Sequence, residues 1–179
     1  MAGLLSDMRK AVQFTPAAPS WTRAESAHLT LQFLGDTAEE RVGELAAALD
    51  RAAARLKPFE VGLRGLGGFP NMRRPRVLWL GAAEGAAELQ AARDAVVRET
   101  QAMGIPPEER PFHAHLTLAR IKNYKGVEAM MDRLRRFEGK SAGRFTASEI
   151  VLFRSQLHPQ GALYTALHTA KFDPRDRSA

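Results

Sequence analysis

The tetrapeptide His28-Leu29-Thr30-Leu31 returns as His115-Leu116-Thr117-Leu118, 87 positions from residue 28 to residue 115. In a strand the side chains alternate faces, so each copy sets an imidazole and a hydroxyl on one surface and sends its leucines toward a core. Such a pair suggests one site built from two equivalent halves. Two imidazoles facing each other across a groove suit general acid and general base work near neutral pH, where free histidine titrates. The two hydroxyls and a nearby cation can then hold an anion.

Taken singly, either histidine is better read as a rim or core residue satisfied by a backbone partner. The repetition and its flanks reverse that preference. Both copies follow polar or proline-containing stretches, Pro19-Ser20-Trp21-Thr22-Arg23-Ala24-Glu25 and Pro106-Pro107-Glu108-Glu109-Arg110-Pro111. Both lead through a polar or basic segment into a helix-like stretch, so the similarity extends to the supersecondary unit.

Periodicity predicts a strand over 29–34 and an amphipathic helix over 37–56, with Val42, Leu45, Ala46, Leu49, Ala52 and Ala53 on one face and Asp36 or Thr37 as its cap. Strands follow over 59–66 and 76–81, with Gly67-Gly68-Phe69-Pro70-Asn71 between them as turn chemistry. A second helix is expected over 84–103, closed by Gly104. A strand over 113–121 and a third helix over 127–137 come next. Strands over 144–157 and 163–172, joined by His158-Pro159-Gln160-Gly161, close the chain. This order indicates an α+β domain without linker or low-complexity stretch.

The 179 residues fit one domain or two small lobes sharing an interface. Cysteine is absent, which rules out disulfides, thiolate nucleophiles and cysteine-based zinc sites and suits a reducing compartment. No apolar run approaches the roughly 20 residues of a membrane helix, and the N-terminal stretch lacks the layout of a secretory signal. A cytoplasmic protein is expected. A net charge of +6 favours a polyanionic partner, with generic solubility as the alternative for charge taken alone. Placement sharpens this. Arg64, Arg73, Arg74 and Arg76 flank the loop 65–75, and Arg110, Arg120, Lys122 and Lys125 surround the second histidine motif.

His28-Leu29-Thr30-Leu31-Gln32-Phe33-Leu34-Gly35 and Pro111-Phe112-His113-Ala114-His115-Leu116-Thr117-Leu118-Ala119-Arg120 resemble the paired signatures of the two-histidine (2H) phosphoesterase superfamily. Within it, they are most similar to the RNA 2′,3′-cyclic phosphodiesterases once named 2′-5′ RNA ligases. Gly65-Leu66-Gly67-Gly68-Phe69-Pro70, Arg74-Pro75-Arg76-Val77-Leu78-Trp79 and Ile150-Val151-Leu152-Phe153-Arg154-Ser155 resemble the same subfamily, so the likeness covers roughly residues 20 to 172. Members usually open with a short apolar strand and a helix. Here Met1 to Val12 resembles only the end of that helix, so the opening strand is expected to be absent or replaced by another segment.

The resemblance implies two pseudo-symmetric lobes of mainly antiparallel sheet backed by helices, with the active-site cleft between them, in a single domain over 1–179. It implies that His28 and His115 are catalytic, with His115 as base and His28 as acid. Thr30, Thr117 and Arg120 would bind the substrate phosphate. Regular alternation would put Arg120 on the face opposite His115, so it would reach the phosphate past the strand end or through a bulge. Phe33, Phe69 and Tyr124 are candidate base or RNA contacts, because exposed aromatics beside a cationic groove serve single-stranded RNA. The expected partner is an RNA end carrying a 2′,3′-cyclic phosphate, with nucleotides as further candidates. The chain is expected to be a monomer needing no cofactor and no metal.

The other histidines rank lower. His113 and His115 form a His-x-His pair without a third ligand beside it. His158 sits in a turn and His168 in an alternating strand. Gly65-x-Gly67-Gly68 is no nucleotide-binding fingerprint, because neither a Lys-Ser/Thr pair nor a helix start follows it. Three functions remain open: the RNA-end cyclic phosphodiesterase, with reverse 2′-5′ ligation as a side reaction; a phosphodiesterase for a small nucleotide cyclic phosphate; and a non-catalytic RNA-binding module.

Overall fold

A computed structural model describes residues 2–17, 19–156, 158 and 162–174. In order, these form α1 (Ala2–Val12), β1 (Pro19–Trp21), α2 (Val42–Ala53), β2 (Phe59–Phe69), β3 (Val77–Glu84) and α3 (Ala86–Ala102). Then come β4 (His115–Ile121), α4 (Val127–Leu134), β5 (Ser141–Ala147), β6 (Glu149–Gln156) and β7 (Leu163–Lys171). One sheet has the order β1-β4-β3-β2-β5, in which the β1–β4, β4–β3 and β3–β2 pairs are antiparallel; β6 and β7 form a separate antiparallel pair. The expected α+β class with mainly antiparallel sheet is what the chain adopts.

The chain divides into two units. Unit 1 (Met1–Leu29, Gly62–Glu84, His115–Arg144) holds β1, β3, β4, most of β2 and β5, and helices α1 and α4. Its almost wholly buried side chains include Met8 of α1, Leu78 and Leu80 of β3, Leu118 of β4, and Met130 and Leu134 of α4. The two helices pack together, and Arg133 donates a hydrogen bond to the Ala11 carbonyl.

Unit 2 (Thr30–Val61, Gly85–Ala114, Phe145–Ala179) holds α2, α3 and the β6–β7 pair. Leu45, Leu49, Ala52 and Ala53 recur at helical spacing on α2 and pack with Ala95 and Val96 of α3, Ile150 and Leu152 of β6, Ala170 and Phe172. Gly104 ends α3 as expected. Its φ is +81°, its N–H donates to the Gln101 carbonyl, and the Ile105 N–H donates to the Thr100 carbonyl, a Schellman closure with Ile105 turned into the core.

Several boundaries differ from the sequence expectation. Residues 29–34 are not a strand: Leu29 alone pairs, with Leu116, and the residues beyond take side-chain partners instead of a ladder. The helix expected from residue 37 begins at Val42, after a 3-10 turn over Glu39–Arg41, and the Thr37 hydroxyl lies near the carbonyls of Leu34 and Gly35 rather than capping it. The strand expected to stop at residue 66 runs on to Phe69, because Gly67 serves a close approach to Trp79 across the sheet, and Gly68 one to Pro75 of the following loop, rather than a turn. The single strand expected over 144–157 is broken at Ser148 into β5 and β6, which join different sheets. In the expected closing turn, Pro159, Gln160 and Gly161 lie outside the described residues, as does Leu157.

Candidate active site

The second histidine motif lies on β4 with its alternation intact. Leu116 and Leu118 are buried, while His115 and Thr117 between them are half-buried on the other face. Beyond Thr117 the strand carries one residue too many. Trp79 of β3 pairs with Thr117, but the next residue back, Leu78, pairs with Ala119, which leaves Leu118 as the extra residue of a bulge. Leu118 and Ala119 therefore both turn inward, and Arg120 emerges exposed on the face of His115 and Thr117. Of the two routes open to Arg120 from sequence, this is the bulge.

The first motif reaches β4 from the other side. β1 pairs with β4 through Pro19↔Ile121, Ser20↔Arg120 and Trp21↔Ala119, and the Thr22 N–H donates to the Leu118 carbonyl. Residues 23–27 then leave the sheet through a 3-10 turn, Ala24–Ser26, and the chain returns at the antiparallel bridge Leu29↔Leu116. That bridge brings His28 alongside the Thr117 end of the second motif. The excursion also sets a carbonyl for it: His28 Nδ1 lies 2.8 Å from the Ser26 oxygen. A nitrogen facing a carbonyl must carry its proton, so Nε2 is the nitrogen that exchanges one with anything else.

Aromatic rings brace His115. Phe69 meets it edge-on at 5.0 Å between centroids, Trp79 lies at 6.0 Å, and Phe69 and Trp79 touch each other at 5.2 Å. The Trp79 indole crosses β2 directly over Gly67, where an added Cβ would sit 2.1 Å from the ring. Gly67 is thus the residue that lets Trp79 lie flat beside His115. Trp79 was not among the site residues expected from sequence. Its signal was a glycine pair opposite a tryptophan in a hairpin register, which reads as a turn until the strands are paired.

Unit 1 thus gathers His28, His115, Thr117, Arg120 and Phe69. Phe69 ends β2 rather than standing in a loop, and its ring meets the histidine. Tyr124 follows β4 in the same unit, with the Arg74 guanidinium 4.9 Å over its ring. The division into units falls inside the first motif, so Thr30 and Phe33 belong to unit 2. Phe33 is 64% exposed, and its N–H donates to Glu108. The histidines are therefore not shared out one per unit. His113 precedes β4 and is exposed, and His168 is bonded to Asp50 of α2 at 2.8 Å. Among the described residues no three His, Asp or Glu side chains gather as a metal ion would need, and no helix is long and apolar enough to cross a membrane.

The family model described as "2′-5′ RNA ligase superfamily" matches residues 6–159. The RNA 2′,3′-cyclic phosphodiesterase of Aeropyrum pernix is 38% identical over 171 residues, covering 96% of each chain. That of Aquifex aeolicus is 35% identical, covering 82% of this chain and 78% of the relative. Among solved structures, TT0787 of Thermus thermophilus matches at 34% identity with a TM-score of 0.73, covering 96% of this chain and 90% of its own. E. coli LigT complexed with 3′-AMP matches at 25% identity and a TM-score of 0.70, covering 96% and 92%.

Proposed function

The chain belongs to the 2′-5′ RNA ligase superfamily, and from that premise we propose that it is an RNA 2′,3′-cyclic phosphodiesterase using two histidines. The carrying observation is the Leu29↔Leu116 bridge, which sets His28 beside the second His-x-Thr motif. The relatives bearing that activity name, alike over most of their length, support the same reading.

In this reading His115 takes a proton from a water as its oxygen attacks phosphorus. The P–O3′ bond breaks, and His28 Nε2–H protonates the departing 3′ oxygen, leaving a 2′-phosphate and a 3′-hydroxyl. Thr30 and Thr117 donate hydroxyl hydrogen bonds to the non-bridging oxygens, and Arg120 opposes the charge that builds on them. Donors of this kind are worth about 3 kcal/mol each in a transition state. In reverse, a 5′-hydroxyl in place of water forms a 2′-5′ linkage. Water is the far more abundant nucleophile, so hydrolysis dominates. The reading includes a monomeric, cytoplasmic, cofactor-free chain whose two units make one phosphoesterase domain.

The test offers the purified protein a short RNA ending in a 2′,3′-cyclic phosphate in excess EDTA and follows the product by phosphorus NMR. A 2′-phosphate that forms without metal and is lost in His28→Ala and His115→Ala supports the proposal. Unchanged turnover in those variants would sink it. An RNA left intact while a nucleoside cyclic phosphate is opened moves the activity to small nucleotides.

A further inference from the structure

Six cations stand at one end of the unit 1 sheet: Arg73, Arg74 and Arg76 ahead of β3, and Arg120, Lys122 and Lys125 at and beyond the end of β4. The register brings the two groups together, since Arg120 pairs with Val77 and the Ile121 N–H donates to the Arg76 carbonyl at 2.9 Å. All six are exposed. Residues 70–77 and 119–127 contain no aspartate or glutamate, and among the described residues none of the six is ion-paired. Elsewhere Arg41, Arg51, Arg55, Arg93, Arg154 and Lys171 of unit 2, and Arg135 and Arg144 of unit 1, each meet a carboxylate.

The loops presenting these charges are fixed. Asn71 Oδ1 accepts the N–H groups of Arg73 and Arg74 at 3.0 and 3.1 Å, and the Arg76 N–H closes the loop on the Phe69 carbonyl at 2.6 Å. Asn123 Oδ1 does the same for the Lys125 N–H at 2.9 Å. Across the two loops the Arg74 guanidinium lies over Tyr124, so an exposed flat cation is held in place by an aromatic ring.

We propose that this patch is a subsite for the body of the RNA, the single-stranded nucleotides on the 5′ side of the reacting cyclic phosphate. It rests on the cyclic phosphodiesterase reading and adds where the rest of that substrate lies. Backbone phosphates run along the cations, and one base stacks on the outer plane of Arg74, continuing the Arg74–Tyr124 stack. Single-stranded RNA uses a charged track and a flat stacking partner together, whereas an acidic protein would use only the charges. Arg120 joins the patch to the site, because the bulge at Leu118 turns it onto the face of His115 and Thr117 while its backbone borders the loop of Arg76.

The experiment compares kcat/KM for a ten-nucleotide RNA ending in a 2′,3′-cyclic phosphate with that for a nucleoside 2′,3′-cyclic phosphate, across a salt series. The RNA is expected to be preferred, with a preference that fades as salt rises. Arg74→Ala and Lys125→Glu are expected to cut that ratio about tenfold through KM and to flatten the salt slope by about 0.7 for each phosphate left without its cation. Equal KM for both substrates in the wild type, or an equal fall on both in the variants, overturns the subsite. If the wild type opens neither substrate, the cyclic phosphodiesterase reading fails by itself. Fluorescence anisotropy with the same RNA ending in a 2′-phosphate still decides the subsite: about tenfold weaker binding in both variants upholds it, and unchanged binding removes it.

Discussion

The two copies of His-x-Thr-Leu carry the same four residues and are held by different means. His115-Leu116-Thr117-Leu118 lies inside β4, with β3 paired along one edge and β1 along part of the other. His28-Leu29-Thr30-Leu31 touches the sheet at Leu29 alone, and its neighbours are held by side chains: Gln32 accepts a hydrogen bond from the Thr100 hydroxyl and reaches the Pro106 carbonyl, while Leu31 and Leu34 pack on the unit 2 core. One copy is rigid through its backbone and the other through what surrounds it. Strand preference is a property of the surroundings more than of the residues, and here a repeated tetrapeptide shows it within one chain.

The largest effect tests whether the copies are equal where chemistry is concerned. His28→Ala and His115→Ala are each expected to lower kcat by about 10²–10⁴-fold. The double variant is expected to fall little further, because an acid and a base acting in one step are not additive. Steady-state rates on a cyclic-phosphate RNA check this, and a single variant with near wild-type kcat would break the equivalence.

Stability separates the copies next. Leu116 is 6% exposed, so Leu116→Ala is expected to cost about 2–5 kcal/mol in urea unfolding. Leu29 is only half-buried, and Leu29→Ala is expected to cost less than half as much. Equal losses would mean that the single bridge carries as much as the whole strand.

The second copy also depends on the indole beside its histidine. In Gly67→Ala the new methyl meets the Trp79 ring, which must shift from its present place beside His115. Overpacking of this kind costs about 1–3 kcal/mol, and kcat is expected to fall further than KM rises. Removing bulk in Gly67→Ala/Trp79→Leu is expected to restore thermal stability without restoring kcat. Recovery of both would show that the indole fills space without bracing the histidine.

The motif on β4 was legible because an alternating His-Leu-Thr-Leu has one core face, and α3 was legible because Gly104 closes it with the expected left-handed turn. The bulge at Leu118 was not. Leu118 and Ala119 are both small enough and apolar enough to be buried together, so the sequence carries no mark of the extra residue, and the side on which Arg120 emerges waits for the register with β3. The same holds for Gly67-Gly68, where missing side chains signal a tight approach as readily as a turn. The first motif misled in the opposite direction. Its pattern is that of a strand, yet beyond Leu29 no neighbouring strand pairs with it among the described residues, and periodicity reports which side chains are apolar rather than whether a partner exists.

The smallest expected effect probes the side-chain tether itself. Thr100 is wholly buried, and its hydroxyl donates to Gln32 Oε1 at 2.9 Å while lying 3.2 Å from the Val97 carbonyl of its own helix. Thr100→Val keeps the shape and removes the donor, leaving the Gln32 oxygen to find water. Because Gln32 is only half-buried, the loss is expected to be about 1 kcal/mol rather than the larger penalty of a sealed acceptor. Hydrogen exchange locates it: amides of residues 30–34 exchange faster in the variant, while those of β4 do not change, since β4 is secured by its own ladder. An equal rise in β4 would mean that the two copies open as one piece, and the contrast between a motif held by its backbone and one held by side chains would no longer describe how they move.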